Sequence, residues 1–77
     1  MPTLLNINGF KFFFYANEHE PMHIHVMKNE GFAKIELHNL NVVQNYLKSK
    51  DLKTALEIIS EHKEDFERTW HEWFDKR

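Results

Sequence analysis

Apolar and polar residues alternate over short segments in the first half of the chain, which is the pattern of strands with one buried face. Asn8-Gly9 follows the first segment, and this dipeptide tolerates the positive φ angles of a two-residue hairpin turn. Asn29-Glu30-Gly31 precedes the last segment and is also typical of a turn. The sequence therefore predicts two β-hairpins, built from the strands Thr3 to Ile7, Phe10 to Tyr15, His23 to Lys28 and Phe32 to Leu37.

Alternation also predicts the register of the second hairpin. Pairing Val26 with Ala33, and Ile24 with Ile35, makes one face of the ribbon wholly apolar. A shift by one residue would place Lys34 on that face instead, so the apolar register is favoured.

The same register places the histidines of this hairpin. His25 lies across from Lys34 and His23 across from Glu36, on the face opposite the apolar one. We therefore expect both imidazoles to share a side outside the apolar core, next to the loop residue Glu18.

After Asn41 the chain contains neither glycine nor proline, and the apolar spacing changes to three and four residues. A long helix is predicted from Ser49 onward, and Asn41 to Lys48 is predicted to be a shorter helical segment. Lys63 falls within the apolar stripe, so either its side chain extends to solvent or the helix bends there. The stripe consists of Leu52, Ala55, Leu56, Ile59, Phe66, Trp70, Trp73 and Phe74.

Four strands followed by a helix predict an α+β fold, in which a small antiparallel four-stranded sheet packs against the long C-terminal helix. The 77 residues are expected to form a single domain over residues 1–77. The longest apolar stretch, Phe12 to Ala16, is too short to cross a membrane, and the N-terminus lacks the layout of a signal peptide. We expect a cytoplasmic protein with no membrane contact.

The histidines of the second hairpin are the strongest candidates for chemistry, and three interpretations are open. His23 and His25 could act as general base and general acid on RNA, with Lys34 or Lys11 stabilising charge on phosphate and Glu18 nearby. This would be a metal-independent ribonuclease with no cofactor. The two imidazoles and a carboxylate could instead hold a metal ion, since the chain has no cysteine to supply a thiolate. They could also be ordinary cross-strand partners on a half-solvated face.

Candidate binding residues lie around these histidines and on the helix. Phe13 and Tyr15 point to the opposite side from Phe10, Phe12 and Phe14, and could stack unpaired bases or contact a partner. His62 lies at the edge of the helical stripe, Trp70 lies within it, and His71 turns outward. The net charge of −2 means that RNA would need a local positive patch.

Several segments together resemble a family of small bacterial proteins catalogued as a domain of unknown function, DUF4160. The likeness covers nearly the whole chain, and its motifs occur in the family's order. It rests on Met1-Pro2-Thr3, the run Gly9 to Tyr15, Asn17-Glu18, the run Pro21 to Val26, Ala33-Lys34, His62 and Trp70-His71-Glu72.

Members of this family are often encoded beside a second small domain, in an arrangement similar to a type II toxin and antitoxin pair. The resemblance implies a toxin-like function and a small antitoxin-like partner protein. A non-catalytic protein-binding or metal-binding module is the alternative, and RNA or a second copy of the chain are further candidate partners. The resemblance places weight on Glu18, His23, His25, Lys34, His62, Trp70 and His71.

Overall fold

The computed structural model describes residues 3–15 and 18–75, which form one antiparallel sheet and two helices. The α+β class is therefore confirmed, whereas the predicted four strands and single long helix are wrong in detail. The strands pair in the order in which they occur in the chain. The elements are β1 (Thr3–Ile7), β2 (Phe10–Phe13), β3 (His23–Lys28), β4 (Gly31–Glu36), β5 (Val42–Asn45), α1 (Ser49–Glu61) and α2 (Lys63–Phe74).

Both predicted hairpins are present. At the first turn, Asn8 has φ 51° and Gly9 has φ 82°. Two successive positive φ angles are typical of the turn whose twist matches that of the flanking strands. In the second hairpin, Ile24 pairs with Ile35 and Val26 with Ala33, as the alternation predicts. These four side chains are fully buried, so burial of one face determines the register.

The segment Asn41 to Lys48 is the first departure from the sequence-based expectation. It contains the strand Val42–Asn45, antiparallel to β4, where a short helix was predicted. Beyond the strand, the Tyr46 N–H donates to the Phe32 carbonyl at 2.7 Å. Two consecutive valines suit a pleated surface, and the pairing satisfies backbone groups that β4 would otherwise expose.

The helical region is the second departure, because it is interrupted at His62. The His62 N–H donates to the carbonyls of both Ile58 and Ile59, at 3.1 and 3.2 Å. Lys63 begins the next helix, and its ammonium donates to the His38 carbonyl at 2.9 Å. The interruption thus gives Lys63 a polar partner, where a continuous helix would hold its side chain in the apolar stripe.

The core lies between one face of the sheet and the two helices. Phe12 contacts Phe66 with ring centroids 5.8 Å apart, and Phe14 contacts Trp70 at 5.2 Å. These pairs join β2 and the segment after it to α2. Within the described part of the chain, neither helix has the length and apolar character needed to cross a membrane. The buried apolar residues of this core are Phe10, Phe12, Phe14, Ile24, Val26, Ala33, Ile35, Leu37, Leu47, Ala55, Ile58, Ile59, Phe66 and Trp70.

The backbone after β5 passes very close to Gly31 of the second hairpin. A Cβ at this position would lie 2.6 Å from the Tyr46 carbonyl oxygen and 3.3 Å from the Leu47 Cα. Because both are backbone atoms, Gly31→Ala should destabilise the domain by about 1–3 kcal/mol, measured by urea unfolding. Glu30→Ala, at an exposed turn position, is the matched control and should change stability by less than about 0.5 kcal/mol. Equal stability of the two variants would contradict this close approach.

Candidate functional site

One carboxylate bridges two imidazoles at the start of β3. His23 and His25 are two residues apart on the strand and therefore project to the same side, as predicted. The loop after β2 brings Glu18 between them. Its Oε1 lies 2.9 Å from His23 Nε2, and its Oε2 lies 2.9 Å from His25 Nε2. We call Glu18, His23 and His25 the His–Glu cluster.

Backbone groups of the same loop hold the cluster in place. The Tyr15 N–H donates to Glu18 Oε2 at 3.1 Å, which gives this oxygen a second donor. His23 Nδ1 lies 2.9 Å from the Pro21 carbonyl oxygen. His23 is only 5% exposed, so the expectation that it lies outside the apolar core is wrong. The Glu18 carboxylate draws this ring inward, because a buried carboxylate needs donors to replace its lost hydration.

Aromatic rings enclose the cluster on several sides. Phe13 stacks on His25 with centroids 5.5 Å apart, and Tyr15 meets the same ring edge-on at 4.5 Å. Trp70 of α2 lies 5.3 Å from the His23 ring. Packed rings of this kind fix the side-chain angles of both imidazoles and limit the access of water.

Burial and hydrogen bonding change the acidity of the cluster. Burial lowers the pKa of His25 below its usual 6.5, because desolvation outweighs the attraction of Glu18. Burial also opposes ionisation of Glu18, but donation from the Tyr15 N–H and from His23 outweighs it. The pKa of Glu18 therefore lies below its usual 4.5, and His25 is neutral at pH 7.

Lys34 lies directly across from His25 in the β3–β4 ladder, as the register predicts. With Glu18, His19 and His23 it lines a cleft of about 360 Å³. Within the described residues, Lys34 forms no ion pair. The ammonium therefore lies beside the cluster without a salt-bridge partner among these residues, in a cleft that Glu20 and Glu36 also line.

The other candidate residues occupy three different environments. Phe13 and Trp70 are buried, at 4% and 1% exposure, and form the walls of the cluster. Tyr15 is 49% exposed and covers the outer side of His25. His62 contacts Phe66, and His71 pairs with Asp75 on the exposed side of α2.

No described contact joins His62 or His71 to the cluster, so the structure groups Glu18, His23, His25, Lys34, Tyr15, Phe13 and Trp70 and leaves these two histidines apart.

Two exposed rings near the cluster do not figure among the sequence-based candidates. Phe32 and Tyr46 are 40% and 65% exposed, with ring centroids 4.8 Å apart. The alternation that buries Ala33 also places Phe32 on the outer face of the sheet, so the sequence contains a signal for it. Tyr46 carries no such signal, because its segment resembles a helix.

The His–Glu cluster is also a candidate metal centre. Each of its three residues offers one ligand atom, and these atoms all lie within 4.8 Å of one another. Two imidazoles and one carboxylate are a common ligand set for first-row transition metals.

Together the fold and the site define a class: a small α+β domain with a buried imidazole–carboxylate cluster at one end of its sheet. The family model described as "Domain of unknown function (DUF4160)" matches residues 9–71, a range that includes the whole cluster and Lys34. The chain therefore belongs to this family, which confirms the resemblance seen in its sequence. No curated protein and no solved structure matches the chain.

The cluster should make the metal-free domain less stable in acid. The pKa values of Glu18 and His25 both lie below their usual values, so the unfolded chain binds these protons more readily than the folded one. The free energy of unfolding should fall as pH drops below about 6.5 through His25, and further below about 4.5 through Glu18. Urea unfolding in the presence of a chelator, between about pH 7 and about pH 3, measures this slope.

Glu18→Gln should lower stability at neutral pH and flatten the slope in the more acidic range. Glu57→Gln is the matched control, because Glu57 is an exposed carboxylate of α1. Identical slopes in Glu18→Gln and the unsubstituted protein would show that the cluster does not determine the acid sensitivity.

Proposed function

We propose that this protein is the toxin-like component of a bacterial two-gene module of the type II toxin–antitoxin kind, and that it acts on single-stranded RNA. One observation carries the proposal, namely a set of exposed rings and unpaired lysines on the outer face of the sheet. We call this set the aromatic–lysine face. It consists of Lys11, Tyr15, Phe32, Lys34 and Tyr46.

The three rings of this face are arranged as stacking surfaces. Phe32 of β4 and Tyr46, the residue after β5, contact each other, and both are exposed. Tyr15 lies beside His25 and is half exposed. Unpaired bases stack on such rings whatever their identity, at about 1–3 kcal/mol per base.

The lysines favour RNA over a protein as the direct target. Within the described residues, neither Lys11 nor Lys34 has an acidic partner. Three carboxylates, those of Glu18, Glu20 and Glu36, line the cleft beside Lys34, and each accepts a hydrogen bond from another residue. Lysine is depleted in the centres of protein interfaces, whereas it matches the phosphates of a nucleic acid.

His25 has the protonation state that a general base requires. Its Nε2 donates to Glu18, so in the neutral ring Nδ1 is the acceptor, and no described residue hydrogen-bonds to it. On this proposal, Nδ1 takes the proton of a ribose 2′-hydroxyl as that oxygen attacks the adjacent phosphorus. Lys34 stabilises the charge on phosphate, and the leaving 5′-oxygen takes a proton from water. His23 positions Glu18, since both of its own nitrogens are engaged.

Binding of a short fluorescein-labelled oligouridine, followed by anisotropy, tests the face. Tyr46→Ala should weaken binding about 5- to 150-fold, which corresponds to the loss of one stacked base. Lys34→Gln should reduce the salt dependence of the affinity by about one counterion. Trp73→Ala is the matched control, because Trp73 is 42% exposed but lies on α2.

Binding that is insensitive to Tyr46→Ala and Lys34→Gln would contradict the proposal. Failure to bind RNA, together with tight binding of the neighbouring gene's product on the same residues, would instead identify the face as a protein-docking surface.

Toxicity tests the cellular half of the proposal. Expression of the chain alone should arrest growth, and co-expression of the neighbouring gene should restore it. Tyr46→Ala should relieve the arrest because RNA is held more weakly, and His25→Ala should relieve it because the base is missing. Trp73→Ala and His71→Ala should stay toxic. Normal growth under expression of the unsubstituted chain would remove the toxin-like function, whatever its affinity for RNA.

A further inference from the structure

We infer that Glu18, His23 and His25 form a binding site for one divalent first-row transition-metal ion, with zinc as the representative ion. The inference does not depend on the RNA proposal. It rests on the hydrogen-bond chemistry of the cluster, on its burial, and on a cleft that reaches it.

The hydrogen-bond inventory of His23 requires a cation in the cluster. A carbonyl oxygen can only accept, so Nδ1, at 2.9 Å from the Pro21 oxygen, carries a hydrogen. In the neutral ring, Nε2 then carries a lone pair and no hydrogen, so it can only accept. Nε2 lies 2.9 Å from Glu18 Oε1, which is also an acceptor. Two acceptors at this distance repel each other unless a second proton or a metal ion lies between them.

A metal ion fulfils this requirement with the ligand atoms nearly in place. Zinc bonds to imidazole nitrogen are about 2.0–2.1 Å long, so neighbouring ligands of a tetrahedral ion are about 3.3 Å apart. The two nitrogen–oxygen distances of 2.9 Å involve different oxygens of Glu18, so a carboxylate bound through one oxygen uses one of them, which is a few tenths of an ångström shorter than this. All three ligand atoms lie within 4.8 Å of one another. A small outward movement of the side chains would therefore admit the ion.

The surroundings of the ligands are those of a metal site. A ligating histidine commonly donates its other ring N–H to a backbone carbonyl, as His23 does to Pro21. The Tyr15 N–H holds the carboxylate, and Phe13 and Trp70 fix the two rings. The side chains of His23, His25 and Glu18 are 7%, 12% and 9% exposed, so few waters compete for the ion.

Three protein ligands leave one coordination position open, as in zinc sites that bind a reactant. The cleft lined by Glu18, His23 and Lys34 reaches the cluster, so a water molecule or a reactant could enter it and become the fourth ligand. The chain has no cysteine, so the donor set is nitrogen and oxygen only. Such a set suits zinc, cobalt or nickel and disfavours copper(I).

Titration of the chelator-treated protein with zinc chloride, by calorimetry, is the direct test. We expect one ion per chain and a rise in melting temperature with zinc concentration. Glu18→Gln and His25→Ala should each weaken zinc binding more than about 100-fold, because loss of even an outer-shell partner costs 10- to 100-fold. Glu18→Gln is nearly isosteric, so it keeps the test informative if His23→Ala fails to fold.

His62→Ala and His71→Ala are the matched controls, since both remove an imidazole outside the cluster. Cobalt provides a local readout in Trp73→Phe protein, where Trp70 is the one remaining tryptophan. Because Trp70 contacts His23, cobalt bound at the cluster should quench its fluorescence and show the visible absorption of a four-coordinate ion.

Zinc binding that survives both Glu18→Gln and His25→Ala, or that disappears in His71→Ala, would overturn the assignment. So would the absence of zinc binding to folded, chelator-treated protein. In these cases the cation between His23 and Glu18 is a proton.

Discussion

The carboxylate of Glu18 is the group on which the rest of the site depends. It is nearly buried, it accepts a hydrogen bond from the Tyr15 N–H, and each of its oxygens lies 2.9 Å from an imidazole nitrogen. A carboxylate in such a position is destabilising unless donors replace its hydration. Its donors come from the segment after β2 and from β3, so one side chain ties the connecting loop to the sheet. The conformation of the loop and the orientation of both imidazoles therefore depend on each other.

The hairpins could be predicted because each depends on a local rule. Asn8-Gly9 determines the first turn, and the alternation through Ile24 and Val26 determines the second register. β5 could not be predicted in the same way, since Val42–Asn45 acquires its strand conformation from the exposed edge of β4. The interruption at His62 could be predicted only in part. The misplaced Lys63 indicates a conflict in the apolar stripe, but the carbonyl of His38 that accommodates its ammonium is a tertiary contact.

The candidate site likewise combines features that local rules predict with features that depend on tertiary contacts. Strand alternation places His23 and His25 on one side and Lys34 opposite His25, and the structure confirms both placements. That one carboxylate bridges both rings follows from the path of the loop, which has no periodicity to reveal it. The burial of His23 also depends on Trp70, whose contact with the ring spans 47 positions of sequence and is determined by how α2 lies on the sheet.

The two proposed uses of the cluster require opposite tautomers of His25. Without a metal ion, Nε2 donates to Glu18 and Nδ1 is a proton acceptor, as a general base must be. With an ion on Nε2, the remaining hydrogen lies on Nδ1, and the ring can no longer accept a proton there. An ion would thus remove the base while leaving Phe32 and Tyr46 free to hold RNA. Strand cleavage that needs the ion would have to use water bound in the open coordination position, beside Lys34, whereas cleavage that the ion inhibits would assign the chemistry to His25 itself.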